Sequence, residues 1–252
     1  RLRVPFSIKA RGSDIRYWGQ KYRARRQMVG AGRHAQGLLA VSKALRDDMT
    51  SLGLSRERIT VHYTGVDLDR FAPSAAAKTA APTLLAVGNL VSLKRFDLLI
   101  DMMVHLPGVR LEIIGDGDER SHLEGLINKL ELQDRVRLLG RVPHDELPAR
   151  LAAAHALVHA SESEGLANVW VEALACGTPV ATCNVGGAKE VVTPSTGRLL
   201  SVDVTPIRFA TAVRELLAEP PRPGAAREAA LPFSWERNTD QLYDHLAMAA
   251  GR

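Results

Sequence analysis

Residues 161–190 read SESEGLANVWVEALACGTPVATCNVGGAKE. A turn holding Glu164 and Gly165 leads into an apolar run with Glu172 inside it. Gly177-Thr178-Pro179 stops that run, and Val180 to Cys183 forms a short strand that Gly186-Gly187 break. Turn, helix, stop and strand make one unit of an α/β fold, with the helix N-terminus facing outward. Backbone N–H groups near Leu166, Ala167, Asn168 and Val169 would have no partner within the helix, and such a set suits a phosphate. Glu172, just over a helical turn further in, is placed to accept two hydrogen bonds from a diol such as a ribose. Glu164, on the preceding loop, reaches whatever the phosphate carries. Two surface glutamates around a helix start also occur with no ligand at all, so the spacing alone decides nothing.

The whole string decides more. Glu164-Gly165, then Glu172-Ala173-Leu174-Ala175-Cys176-Gly177-Thr178-Pro179-Val180, then Gly186-Gly187 and Glu190 follow in order and without gaps. Together they closely resemble the retaining glycosyltransferases of family 4. The resemblance implies an α/β chain of GT-B type, with one complete Rossmann-like donor domain and the C-terminal part of a second, acceptor-side one. It implies transfer of a hexosyl group from a nucleotide-diphosphate sugar, with retention at the anomeric carbon. The acceptor would be a glycan, a lipid-linked sugar or a cell-envelope polysaccharide. In that scheme Glu164 orients the donor sugar and Glu172 holds the ribose hydroxyls. Lys94, with Arg95 and the helix N-terminus at 166–169, neutralises the leaving diphosphate. Cations and dipoles then offset the leaving charge, so neither a metal ion nor a cofactor is expected.

Lys94 and Arg95 belong to a second site element, the loop after a strand at 83–87. Gly88 at the strand end lets backbone approach a ligand, and Lys94 is a compact charge for a diphosphate. Relatives usually carry an arginine directly after that glycine; this chain has Asn89, and Arg95 is expected to supply the charge. At Gly140-Arg141-Val142-Pro143 the resemblance places backbone around Val142 against the nucleotide base, the other reading being an ordinary turn.

Upstream, residues 1–73 read as the acceptor-side remnant: a strand at 4–8, a basic helix at 22–32 and a strand at 37–41. Ser42 caps a helix at 43–52 that Gly53 ends, and a strand follows at 59–63. Arg11-Gly12-Ser13-Asp14 matches the family's first domain and puts Gly12, Ser13 and Asp14 on the acceptor side, although many members have a histidine where Arg11 stands. The resemblance implies roughly a hundred further residues ahead of this segment. This piece by itself is therefore expected to bind a nucleotide diphosphate and transfer little. Residues 74–82 read as a linker. The donor domain, 83–232, has strands at 83–87, 110–114, 136–139, 156–159 and 180–183. Helices at 96–105 and 119–130, and one capped by Asp145 that ends at Ala153, separate them. Residues 233–252 close the chain with a helix capped near Ser234, expected to pack back across the cleft.

Composition sets the outer limits. The 252 residues are 46% hydrophobic and only 5% aromatic, which suits helices on parallel strands better than a β-sandwich. No apolar run is long enough for a membrane span. The two cysteines, Cys176 and Cys183, read as small buried residues of a reduced, cytoplasmic protein. Residues 1–36 hold eight arginines and two lysines against one acid, Asp14. That stretch reads either as a surface for anionic lipid, giving peripheral contact at the inner face of a membrane, or as a solvated Arg-rich helix. Nucleic acid is set aside because no aromatic platform or recognition-helix pattern accompanies the charge.

Several motifs are decoys. Asp67-Leu68-Asp69 and Asp116-Gly117-Asp118 spell the Asp-x-Asp that other glycosyltransferases use for a metal, but they read as turns and caps. His155 and His159 share a strand spacing without the further ligands of a zinc site. Ser161 and Ser163 lack the elbow of a serine hydrolase. A non-catalytic nucleotide-sugar-binding or scaffold protein of the same fold remains an alternative, motivated by Asn89, Arg11 and the expected missing segment. Other chemistry on the fold, such as epimerase or phosphorylase, is a further one, and the latter lacks a candidate lysine for pyridoxal phosphate.

Overall fold

The computed structural model describes residues 4–74, 78, 80–222 and 224–251, arranged as two bodies, each on its own parallel sheet. The first sheet has the order β1 (Ser7–Ala10), β2 (Gly37–Ala40), β3 (Ile59–Val61). Parallel neighbours require crossovers, supplied by α1 (Ser13–Arg16), α2 (Tyr22–His34) and α3 (Lys43–Ser51). Ser42 caps α3 as its sequence suggests, its hydroxyl accepting the Leu45 N–H at 3.1 Å. The first strand, however, starts later than expected. Pro5 has no N–H for a ladder, and regular pairing begins at Ser7 opposite Gly37.

The second sheet has the order β6-β5-β4-β7-β8-β9, all parallel. Its strands are β4 (Thr83–Val87), β5 (Arg110–Ile114), β6 (Val136–Gly140), β7 (Ala156–His159), β8 (Val180–Cys183) and β9 (Gly197–Leu200). Every residue of β7 and β8 is buried, as strands covered on both faces must be. The helices are α4 (Phe96–Met102), α5 (Arg120–Lys129), α6 (Leu147–Ala153), α7 (Asn168–Ala175), α8 (Ala188–Val191), α9 (Pro206–Ala218), α10 (Ala225–Ala230) and α11 (Trp235–Ala249). α4 packs with α5 and α9, and α7 packs with α6 and α10. Strand order reverses between β4 and β7, and the crevice beyond their carboxyl ends is where such folds bind ligands.

Three local expectations are corrected. The helix expected at 96–105 is α4 followed by one tighter turn, Met103–His105. Asp145 does not cap α6: Pro148 belongs in a first helical turn, which moves the start to Leu147, with no side-chain cap. β9 was not foreseen at all.

The chain returns to the first body at its end. Ser234 caps α11 through Arg237 N–H at 3.2 Å and sits in a bridge with Val66. Asn238 Nδ2 donates to Tyr63 O at 2.6 Å, and His245 Nε2 lies 3.0 Å from Ser7 Oγ. The closing helix thus packs on the three-stranded sheet. Arg227 of α10 adds a staple, donating to Leu68 O at 2.8 Å, to Ala175 O at 3.0 Å and to Phe71 O. The stretch read as linker, 74–82, includes residues 75–77 and 79, which lie outside the described residues. Among the described residues no helix is long and apolar enough to cross a membrane.

Candidate functional site

The loops leaving β4 and β7 are laced together at the switch point. Glu162 N–H donates to Leu93 O at 3.0 Å, and Ser161 Oγ donates to the same carbonyl at 3.3 Å. This sets Lys94 against Glu164, and its Nζ pairs with Glu164 Oε1, both side chains being largely buried. Arg16 of α1 reaches across to donate to Glu164 O while its Nε holds Asp48 at 2.7 Å. His159, the last residue of β7, brings Nε2 to 3.5 Å from that same Oε1. Burial pushes the His159 imidazole down to about 4, with Glu164 pulling weakly the other way, so the ring is neutral near pH 7.

α7 begins without a side-chain cap. Among the described residues, the N–H groups of Leu166, Ala167, Asn168 and Val169 have no acceptor, although Leu166, Ala167 and Val169 are buried. Open N–H groups in a row at a helix start suit an anion. Glu172 follows on the same helix. Burial pushes its carboxyl up to about 7, with Arg70 opposing the shift, and His144 Nε2 lies 3.8 Å from its Oε1.

Other residues singled out from sequence fare differently. Gly88 donates to Ile114 O at 3.0 Å, and a Cβ there would meet only Phe96 at 3.5 Å and Lys94 at 4.0 Å. Those are ordinary packing distances, and Asn89 beside it is exposed. Val142 packs half-buried against the core after β6. Arg95 corrects an expectation. Its guanidinium donates to Ala160 O and Val202 O, each at 2.7 Å, and to Cys183 Sγ at 3.2 Å. It ties the ends of β7, β8 and β9 together, so each of its three nitrogens already has a protein acceptor. Asp14 is likewise committed, accepting from the backbone N–H groups of Arg11, Gly12 and Ile15, so it shapes the turn that carries Gly12 and Ser13.

That turn presses on the loop that carries Glu164 and Gly165. A side chain at Gly165 would come within 2.1 Å of Arg11 O. Gly186 takes φ +53°, where a Cβ would meet Glu164 O at 1.9 Å; only glycine satisfies both demands. The Asp-x-Asp motifs are turns: Asp67 Oδ1 accepts Asp69 N–H at 3.1 Å and Arg70 N–H at 3.0 Å, and Asp116 Oδ1 accepts Gly117 N–H at 2.9 Å. Sequence reasoning missed His159, Arg16, Arg70 and His144, because each joins the site from a different element. The closeness of His159 to Glu164 in sequence was a usable signal.

The charged N-terminal stretch also needs correction. Tyr17, Trp18 and Tyr22 are 58%, 51% and 76% exposed, and Lys21 Nζ sits 4.9 Å from the Tyr17 ring. Aromatic groups do accompany the charge, as an edge-to-face pair capped by a lysine.

Two Rossmann-like sheets, a crevice at the switch point and paired glutamates around an open helix start define a GT-B glycosyltransferase architecture. The chain belongs to the family Glycosyl transferases group 1, which it matches over residues 69–231, and residues 3–70 match Glycosyltransferase Family 4. Among curated relatives, it is 32% identical over 250 residues to D-inositol 3-phosphate glycosyltransferase of Xylanimonas cellulosilytica, covering 90% of this chain and 59% of that one. It is 33% identical over 232 residues to the GDP-mannose-dependent alpha-mannosyltransferase of Mycobacterium tuberculosis, covering 87% and 58%. The chain thus spans a little over half the length of these relatives. Anabaena Alr3699/HepE, solved in complex with UDP, superposes with a TM-score of 0.86 at 23% identity, covering 98% of this chain and 73% of that one. Sucrose-phosphate synthase from Thermosynechococcus elongatus gives a TM-score of 0.83 at 26% identity, covering 94% and 65%.

Proposed function

We propose that the chain is the catalytic-cleft portion of a retaining glycosyltransferase that moves a sugar from a nucleotide-diphosphate donor to a glycan, lipid-linked or cell-envelope polysaccharide acceptor. One observation carries the reading: unused hydrogen-bonding capacity converges on a single crevice. Among the described residues, the four N–H groups of residues 166–169 have no acceptor, and the Glu172 carboxyl group has no hydrogen bond although it is largely buried. A nucleoside diphosphate supplies what both lack, phosphate oxygens for the donors and ribose hydroxyls for the acceptor. Lys94 adds positive charge where the leaving diphosphate develops negative charge. Glu164, paired with Lys94 at the same place, meets the sugar beyond the phosphates. The UDP complex of the HepE structure and the donor in the mannosyltransferase's name support a nucleotide-linked sugar. Peripheral contact with an anionic membrane is part of the proposal and rests on the basic, aromatic face of α1 and α2.

A thermal-shift screen of the full-length protein with UDP-, GDP- and ADP-sugars tests the donor site, followed by donor hydrolysis and transfer. Stabilisation by one nucleotide sugar with turnover is expected; stabilisation by none overturns the proposal. A second reading, binding without turnover, is favoured by the commitment of Arg95 to carbonyl groups, which leaves Lys94 alone to face the diphosphate from its loop. Tight binding with no hydrolysis or transfer by the full-length protein would select it.

A further inference from the structure

His159 sits where β7 delivers the chain to the catalytic loop, and two donors converge there on one oxygen of Glu164. Lys94 Nζ and His159 Nε2 both address Oε1. Among the described residues nothing is paired with Oε2. The carboxylate is therefore held through one of its two oxygens. We propose that His159 is a positioning residue, donating from Nε2 to Glu164 so that the carboxylate keeps its orientation when Lys94 turns to the diphosphate. The inference rests on the nucleotide-sugar reading above.

Three features of the surroundings support it. His159 Nδ1 is buried without a partner among the described residues. A hydrogen on Nδ1 would be an unsatisfied buried donor and would leave a lone pair at Nε2 facing a carboxylate oxygen; the Nε2–H tautomer avoids both. Burial also holds the ring neutral, its proton affinity lowered to about 4, so it can orient Glu164 without adding a second cation beside Lys94. Finally, Trp170 packs edge-on against the imidazole, centroids 5.5 Å apart at 89°, and is itself fully buried. Because Trp170 lies on α7, the ring that steadies Glu164 is braced by the helix whose start faces the phosphates. At 3.5 Å the contact is at the outer limit of a hydrogen bond, and such bonds shorten when a site fills.

The test compares His159→Leu, His159→Asn and His159→Gln in the full-length protein. A glutamine amide nitrogen reaches the place of Nε2, whereas an asparagine nitrogen reaches that of Nδ1. His159→Leu and His159→Asn are expected to lower kcat for donor hydrolysis about tenfold, with affinity for the free nucleoside diphosphate changed less than about twofold. His159→Gln is expected to recover most of the rate. Equal rates in all three variants, high or low, would overturn the proposal, as would a loss shared by nucleoside-diphosphate binding. Nitrogen NMR of the ligand-free protein at neutral pH gives an independent readout. A proton on Nε2, with a resonance moved by Glu164→Gln, supports the contact, and a proton on Nδ1 refutes it. If the unmutated protein binds no nucleotide sugar, the donor reading fails while the NMR result still decides the His159–Glu164 relationship.

Discussion

The Tyr63 hydroxyl donates to the Glu190 carboxylate at 3.0 Å, joining the end of the first sheet to α8, the short helix after the fifth strand of the second. The same carboxylate accepts Lys43 N–H at 2.9 Å and Ala44 N–H at 3.2 Å. A glutamate of one body thus caps a helix of the other, beside that helix's own Ser42 cap. Burial, then the neighbouring carboxylate, push the Tyr63 phenol up to about 12, so it remains a donor throughout the working range.

Glu190→Gln is expected to loosen this junction, because an amide nitrogen would face backbone N–H groups. Charge-assisted hydrogen bonds of this kind contribute about 1–3 kcal/mol. The loss should appear as a lower melting temperature and faster proteolysis between the bodies. Tyr63→Phe, which keeps both helix contacts, should cost less. Equal losses would mean that the cap on α3 contributes nothing.

Glu172 links pH to stability. In the folded protein it holds its proton up to about 7 against an ordinary 4.5. The folded state therefore binds more protons than the unfolded state in that window, and stability falls as pH rises through it. Fully developed, the effect is at most roughly 3 kcal/mol. Glu172→Gln should flatten that part of the profile in chemical melts at stepped pH. Glu172→Ala should weaken nucleotide sugar and free nucleoside diphosphate alike, by about 1.5–3 kcal/mol, since ribose is common to both; unchanged affinity would remove Glu172 from the site.

Lys94 and Arg95 are neighbours with opposite fates. Lys94→Ala is expected to lose affinity for a nucleoside diphosphate but hardly for the nucleoside, by calorimetry. Arg95→Ala is expected to cost about 1–3 kcal/mol of stability through its lost carbonyl contacts, with a smaller effect on phosphate binding. Reversed phenotypes would exchange the two roles.

Transfer by the full-length protein should survive EDTA, since Asp67 and Asp116 bond to backbone in their own turns. Loss of activity restored by magnesium or manganese would return both motifs to consideration.

The full-length protein should co-sediment with vesicles rich in anionic lipid and not with zwitterionic ones, and added salt should release it. Trp18 fluorescence should shift to the blue on binding. Paired Arg23→Ala and Arg26→Ala substitutions should weaken the association, and undiminished binding would exclude this face.

Much of the fold was legible because β4, β7 and β8 are short runs of buried, mostly apolar residues between glycine and proline punctuation. β9 was not, for Arg198 and a 38% exposed Leu199 break its pattern. Glu164 and Glu172 could be read from their ordered motif. Arg95 could not, because its acceptors Ala160, Cys183 and Val202 come from the ends of three strands that only the sheet brings together. The charge on Glu172 was equally hidden, since burial sets it and Arg70 and His144 approach from separate segments.

The return of α11 to the first sheet makes that body discontinuous: the polypeptide passes between the two bodies at 74–82 and again at Leu231–Ser234. The anchor points are adjacent in space, Val66 against Ser234 and Phe71 against Arg227. A single cut in the 74–82 stretch would leave them joined through the second tether, at the high effective concentration of a short connection. Independent halves would require both connections to be severed.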